Sequence, residues 1–134
     1  MVKTVSIIIQ NELGQILTLK NASYKKWHPD KWDIVSGKIE TNELPLDAFK
    51  RELFEETGIT EFVDFKTCNP HKYNDQGKMC LVHLFVCKVS IVKPRLSNEH
   101  VDYKWMSISD FLKSDYAVPV KTALGLAFGI EIDE

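Results

Sequence analysis

Three glutamates at helical spacing carry the strongest chemical signal in this 134-residue chain. Glu52, Glu55 and Glu56 lie in the run GKIETNELPLDAFKRELFEETGI, residues 37 to 59. On a helix their i, i+3 and i+4 spacing confines all three side chains to about 100° of arc. Like charges so placed repel by roughly a few tenths of a kcal/mol per pair, and more where water is partly excluded. The cluster therefore costs stability unless a cation sits among the carboxylates. Glutamate-rich helix faces in general are most often solvated surface. As a site, hard carboxylate oxygens at short range suit Mg²⁺ or Mn²⁺, which keep positions open for water and phosphate oxygens. A pyrophosphate substrate is itself anionic and can approach such a face only through bridging cations. The metal would stabilise charge on the phosphoryl oxygens and lower the pKa of the attacking water. A glutamate within hydrogen-bond reach would take that water's proton: Glu55, Glu52 or a carboxylate outside the helix.

The spacing around these glutamates is more specific than the glutamates themselves. Gly37, five residues, Glu43, seven residues, then Arg51-Glu52-Leu53-Phe54-Glu55-Glu56-Thr57-Gly58-Ile59 resembles, without a gap, the signature of the Nudix hydrolase family. Chance agreement at these fixed positions has a probability of order 10⁻⁸ at any one place, given average residue usage. The resemblance implies an α/β (α+β) fold, an α/β/α sandwich with a mixed β-sheet. It also implies hydrolysis of a nucleoside diphosphate linked to another group, dependent on Mg²⁺ or Mn²⁺. By the same likeness Glu52, Glu55 and Glu56 are expected metal ligands, with the Gly37 carbonyl completing the sphere. Arg51 and Glu43 are expected to pair and hold the helix against its loop, and Gly58 to end the helix in a left-handed conformation. The segment Ser97 to Trp105 is similar to one following the long loop of many Nudix enzymes, which makes Glu99 the best candidate for a further metal ligand or general base.

Two features set this chain apart. Val35-Ser36-Gly37 stands where many family members have Pro-Gly-Gly. Ser23 to Trp32 also resembles the corresponding region of isopentenyl diphosphate isomerases, relatives that move protons on the same fold. Those need a cysteine near the loop entry, where Ser36 stands, and lack the complete hydrolase signature found here. A nucleotide-binding or sensor domain that has lost catalysis is the other alternative, although such domains usually lack a signature glutamate and none is missing. Substrate contacts are expected from Trp27, which offers a π-face in a loop rich in lysine, and from Lys38. Trp32 and Trp105 read as packing residues. His100 reads as a loop histidine, and His28 and His71 carry no readable signal.

The elements that must position these groups follow from pattern. Val5–Gln10 and Gln15–Leu19, joined by Asn11-Glu12-Leu13-Gly14, read as a hairpin. Asn21 to Asp33 reads as a long loop, with a short strand starting at Ile34-Val35. Leu44 to Thr57 is the helix, with Pro45 in its first turn, Thr41 or Asn42 as cap, and an apolar stripe of Leu46, Phe49, Leu53 and Thr57. Met79–Ser90 and Val101–Met106 read as strands, and Ser109–Lys113 and Val118 to about Phe128 as helices. Thr67 to Lys78 and Lys93 to His100 remain as loops that would choose the substrate.

Composition fits one domain spanning residues 1–134, with 44% hydrophobic and 27% charged residues. A net charge of -2 predicts no general affinity for polymeric nucleic acid or anionic membrane. The expected partner is a small nucleotide or nucleoside diphosphate derivative; a homodimer is common in the family. With no apolar run of spanning length and no signal-peptide pattern, the expected location is the cytoplasm. Cys68, Cys80 and Cys87 form no C-x-x-C pair and read as buried structural thiols.

Overall fold

The computed structural model describes residues 1–129. Strand β1 (Val2–Gln10) lies at the centre, parallel to β7 (Lys78–Lys88) in unbroken register from Val2↔Cys80 to Gln10↔Lys88. Its apolar run buries both faces, with Val5, Ile7 and Ile9 in one core and Ile8 in the other. A strand covered on both sides reads as continuously hydrophobic. The expected hairpin closes only at its turn. There the Asn11 side chain accepts from the Leu13 and Gln15 amides at 2.9 and 3.0 Å, and Gly14 takes a positive φ. Beyond the single pair Gln10↔Ile16, β2 (Ile16–Asn21) leaves β1 and pairs antiparallel with β8 (His100–Met106). Along its first half β1 takes β4 (Val35–Lys38) as its antiparallel neighbour instead, from Thr4↔Lys38 to Ile7↔Val35. The two-residue strand β3 (Trp32–Asp33) extends β2.

The expected loop from Thr67 to Lys78 is largely strand. β5 (Val63–Thr67) and β6 (His71–Asp75) both pair antiparallel with β7. The β6–β7 connection is the two-residue turn Gln76-Gly77, both with positive φ, the type I′ geometry that matches strand twist. β6 alternates half-buried and exposed residues, a period-2 signal hidden by its polar composition.

Helix α1 (Pro45–Thr57) covers one sheet face through Phe49 and Leu53, while α2 (Ile108–Lys113) and α3 (Val118–Phe128) cover the other through Phe111, Val120 and Leu124. The result is a mixed sheet between helices. Leu44, rather than Thr41 or Asn42, occupies the N-cap position of α1, and no side chain caps it. The buried face also differs from the expected stripe. Leu46 is 43% exposed, whereas Ala48, Phe49, Glu52, Leu53, Glu56 and Thr57 are buried. On the helical wheel Leu46 falls between buried Leu53 and Thr57, so its exposure goes with its place in the first turn, while the buried arc extends beyond the expected stripe to Glu52 and Glu56. None of the described helices is long and apolar enough to cross a membrane.

Candidate active site

β-sheet register assembles the floor of a cavity of about 580 Å³. Val2, Thr4 and Ser6 alternate along β1, so they share a face with their β7 partners Cys80 and Val82. Across β7, the pairs His71↔Val82 and Tyr73↔Cys80 carry that face onto β6. On the other side, Ser6↔Ser36 brings in β4. α3 supplies Pro119, Val120 and Ala123, and α1 supplies Glu52, Glu55 and Glu56.

Gly37 and Glu52 meet where β4 passes α1. A methyl group at Gly37 would run into the Glu52 carboxylate and displace it, so the absence of a side chain at Gly37 is what lets that carboxylate lie against β4. Arg51 then fixes the wall with every donor it has. Its Nε and Nη2 grip Glu43 at 2.8 and 2.9 Å, and Nη2 also reaches the Lys38 carbonyl at 2.9 Å. Its Nη1 donates to Glu52 at 2.7 Å and to Glu55 at 3.2 Å. The bidentate guanidinium holds the Glu43 carboxyl down to about 2. Gly58 closes the helix with φ +75°, its amide donating to the Phe54 carbonyl at 2.8 Å.

Glu56 is the anomaly. It is 3% exposed, and its Oε2 has no hydrogen-bond partner. Burial, and next the neighbouring Glu52, push its carboxyl well above the ordinary value. His100 stands 3.6 Å from Oε1, but burial and the positive charge of Lys25 lower its pKa to about 4, so near neutrality it offers no compensating charge. A buried carboxylate beside a second carboxylate calls for a cation, and its oxygens suit Mg²⁺ or Mn²⁺. Among the described residues no three acidic, histidine or cysteine side chains converge into a ready-made metal sphere. Glu52 and Glu55 are drawn onto Arg51, and Glu99 is exposed on the pocket's rim. The expected ligands Gly37, Glu52, Glu55, Glu56 and Glu99 thus line one cavity without being gathered at one point.

Of the two expected substrate contacts, half-buried Trp27 and exposed Lys38 both line the cavity. Lys31 instead pairs with Asp115 on the surface. Trp32 packs into the α3-side core, and the Trp105 indole donates to the Val92 carbonyl. His100 is buried against Glu56 rather than lying in an open loop. Among the cysteines, Cys87 is buried, and that burial pushes its thiol up to about 12. Cys68 and Cys80 are only half-buried, and Cys80 lines the cavity. Sequence reasoning missed His28, His71, Tyr73 and Asp75, all of which line the pocket. The usable signal was the Gln76-Gly77 turn beside an alternating strand, which places His71, Tyr73 and Asp75 on one face.

The chain matches the NUDIX domain model over residues 2–124. A MutT-like protein of Streptomyces ambofaciens is 30% identical over 124 residues, covering 90% of this chain and 75% of that one. The dihydroneopterin triphosphate diphosphatase of Haemophilus influenzae is 28% identical over 116 residues, covering 75% and 70%. Among solved structures, the MutT protein of Methanosarcina mazei Go1 superposes with a TM-score of 0.76 at 28% identity, covering 87% of this chain and 85% of that one. With the domain model matched over nearly the whole chain and the fold superposing on a solved MutT protein, the chain belongs to the NUDIX family and is a hydrolase of acid anhydrides.

Proposed function

We propose that this chain is a Mg²⁺- or Mn²⁺-dependent pyrophosphohydrolase of a nucleoside di- or triphosphate or a nucleoside diphosphate derivative. The observation that carries the reading is Glu56, buried beside Glu52 with one oxygen unpartnered. Glu52, Glu55, Glu56 and the Gly37 carbonyl would hold the ions, since all four residues line the same cavity, and Glu99, which also lines it, is left for proton transfer. When bound, the cation supplies charge neutralisation at the phosphoryl oxygens and a more acidic water.

The protein's own groups do the rest. Arg51 fixes α1 against the β4 loop, so the carboxylates keep their spacing while substrate enters. Glu52 and Glu55 already accept from Arg51, whereas Glu99 stands on the rim outside that clamp. Glu99 takes the proton of the attacking water as its oxygen bonds phosphorus and the bridging P–O bond breaks. Lys38 meets the phosphates at the mouth, and the Trp27 side of the cavity receives the organic half of the substrate.

A Mg²⁺-supplemented screen of nucleotides and nucleoside diphosphate derivatives, read by phosphate or pyrophosphate release, tests the reading. Excess EDTA should abolish turnover and added Mg²⁺ or Mn²⁺ should restore it. A rate that survives EDTA overturns the mechanism.

A further inference from the structure

The segment from Ala22 to Lys31 has no regular structure of its own and lends Lys25, Trp27 and His28 to the pocket lining. A connection of this kind opens easily unless it is tied down. Two consecutive residues tie it to the tip of the β6–β7 hairpin. The His28 Nε2 lies 3.0 Å from both carboxylate oxygens of Asp75. Beside it, Lys78, the cross-strand partner of Asp75, places its ammonium 5.9 Å from the centre of the Trp27 ring. The pair is shielded, with side chains 12% and 20% exposed. His28 has φ +52°, a left-handed conformation that a non-glycine residue holds only when its surroundings enforce it. That enforcement comes from Asn21, fully buried, whose amide donates to the His28 carbonyl at 3.0 Å.

We propose that the His28–Asp75 pair is a clasp that fixes Trp27 as the wall for the organic half of the substrate, making these two positioning residues determinants of selectivity rather than of phosphoryl chemistry. The inference rests on the pyrophosphohydrolase reading. Its geometry is independent of the metal wall, because neither residue belongs to α1 or contacts its carboxylates. Interactions with the remote part of a substrate that are equal in ground and transition states change KM and leave kcat alone.

The test uses His28→Asn and Asp75→Asn on the full chain, with the eight common nucleoside triphosphates and ADP-ribose as substrates. For each compound the wild type hydrolyses, KM should rise about 10-fold while kcat changes less than about 3-fold. Competitive inhibition by inorganic tripolyphosphate, which has no organic half, should be unchanged. Trp27→Ala should raise KM similarly, and adding His28→Asn to it should have little further effect. An equal loss for nucleotide and tripolyphosphate, a fall confined to kcat, or full additivity with Trp27→Ala would overturn the clasp. The indole N–H resonance of Trp27, assigned by its loss in Trp27→Phe, reads the clasp without turnover. It should shift or broaden in both variants, and an unchanged resonance also sinks the proposal. A wild type that hydrolyses nothing in Mg²⁺ fails the functional reading instead, and leaves the resonance to decide the clasp.

Discussion

At one end of the pocket Gly37, Glu43, Arg51, Glu52, Glu55 and Glu56 come from one short stretch of chain, and a single guanidinium joins Glu43, Glu52 and Glu55. At the other end Trp27, His28, Tyr73, Asp75 and Lys78 come from a loop and a hairpin, with the clasping residues 47 positions apart. The first end is local: one helix, one loop and one close approach at Gly37 set its geometry. The second exists only because β6 folds back on β7 and β7 lies parallel to β1. A locally built end can keep one chemistry while a remotely assembled end changes its ligand, which is how one fold serves many substrates.

The largest effect should come from the local end. Glu56→Gln is expected to cut turnover at saturating Mg²⁺ by at least about 10²-fold. The melting temperature should hold or rise, since a neutral isostere replaces a buried acid. Wild-type turnover in this variant would remove Glu56 from the site. Gly37→Ala comes next. Its methyl group displaces the Glu52 carboxylate, the movable end of that side chain, so kcat should fall about 10-fold or more while stability to denaturant changes little. An unchanged kcat would mean that the two ends tolerate misplacement equally and would break the contrast. The clasp variants should then show the opposite signature, in KM alone.

The smallest effect concerns pH. Arg51 depresses the Glu43 carboxyl to about 2 in the folded protein, below its unfolded value. The stabilisation it contributes is therefore complete above the ordinary carboxylate pKa and lost as pH falls toward 2. Glu43→Gln should flatten the acid limb of a melting-temperature profile over that window and leave the neutral region little changed in slope. An acid limb as steep as that of the wild type would show that the clamp on α1 does not draw on this pair.

Legibility in the sequence follows the same division. The helix, its terminating Gly58 and the run from Gly37 to Ile59 could be read directly, because helical periodicity and helix-end chemistry depend on near neighbours. The extent of the buried arc of α1 could not. Leu46 fits the stripe as well as Phe49 does, and only the packing around the helix decides that Glu52 and Glu56 are buried while Leu46, in the first turn, stays 43% exposed. The β1–β2 hairpin reading holds at its turn, where Gln10 pairs with Ile16, but turn chemistry at Asn11 and Gly14 fixes the reversal and not which strands pair beyond it. β6 was missed because its polar residues hide the period-2 pattern, and β5, although Val63-Asp64-Phe65-Lys66 alternates, is too short to declare itself; the pairing with β7 that makes both of them strands is long-range.

Residue order by itself determined the spacing of three carboxylates, the arginine that clamps two of them and the glycines that admit and end the helix. These arise from dihedral preferences and i, i+4 geometry within one segment. Tertiary structure alone decided that Glu56 is buried without a partner for Oε2, that His28 meets Asp75, and that Trp27 faces the same cavity. Burial and cross-chain contact depend on strand order and register, and no local stretch of sequence encodes either.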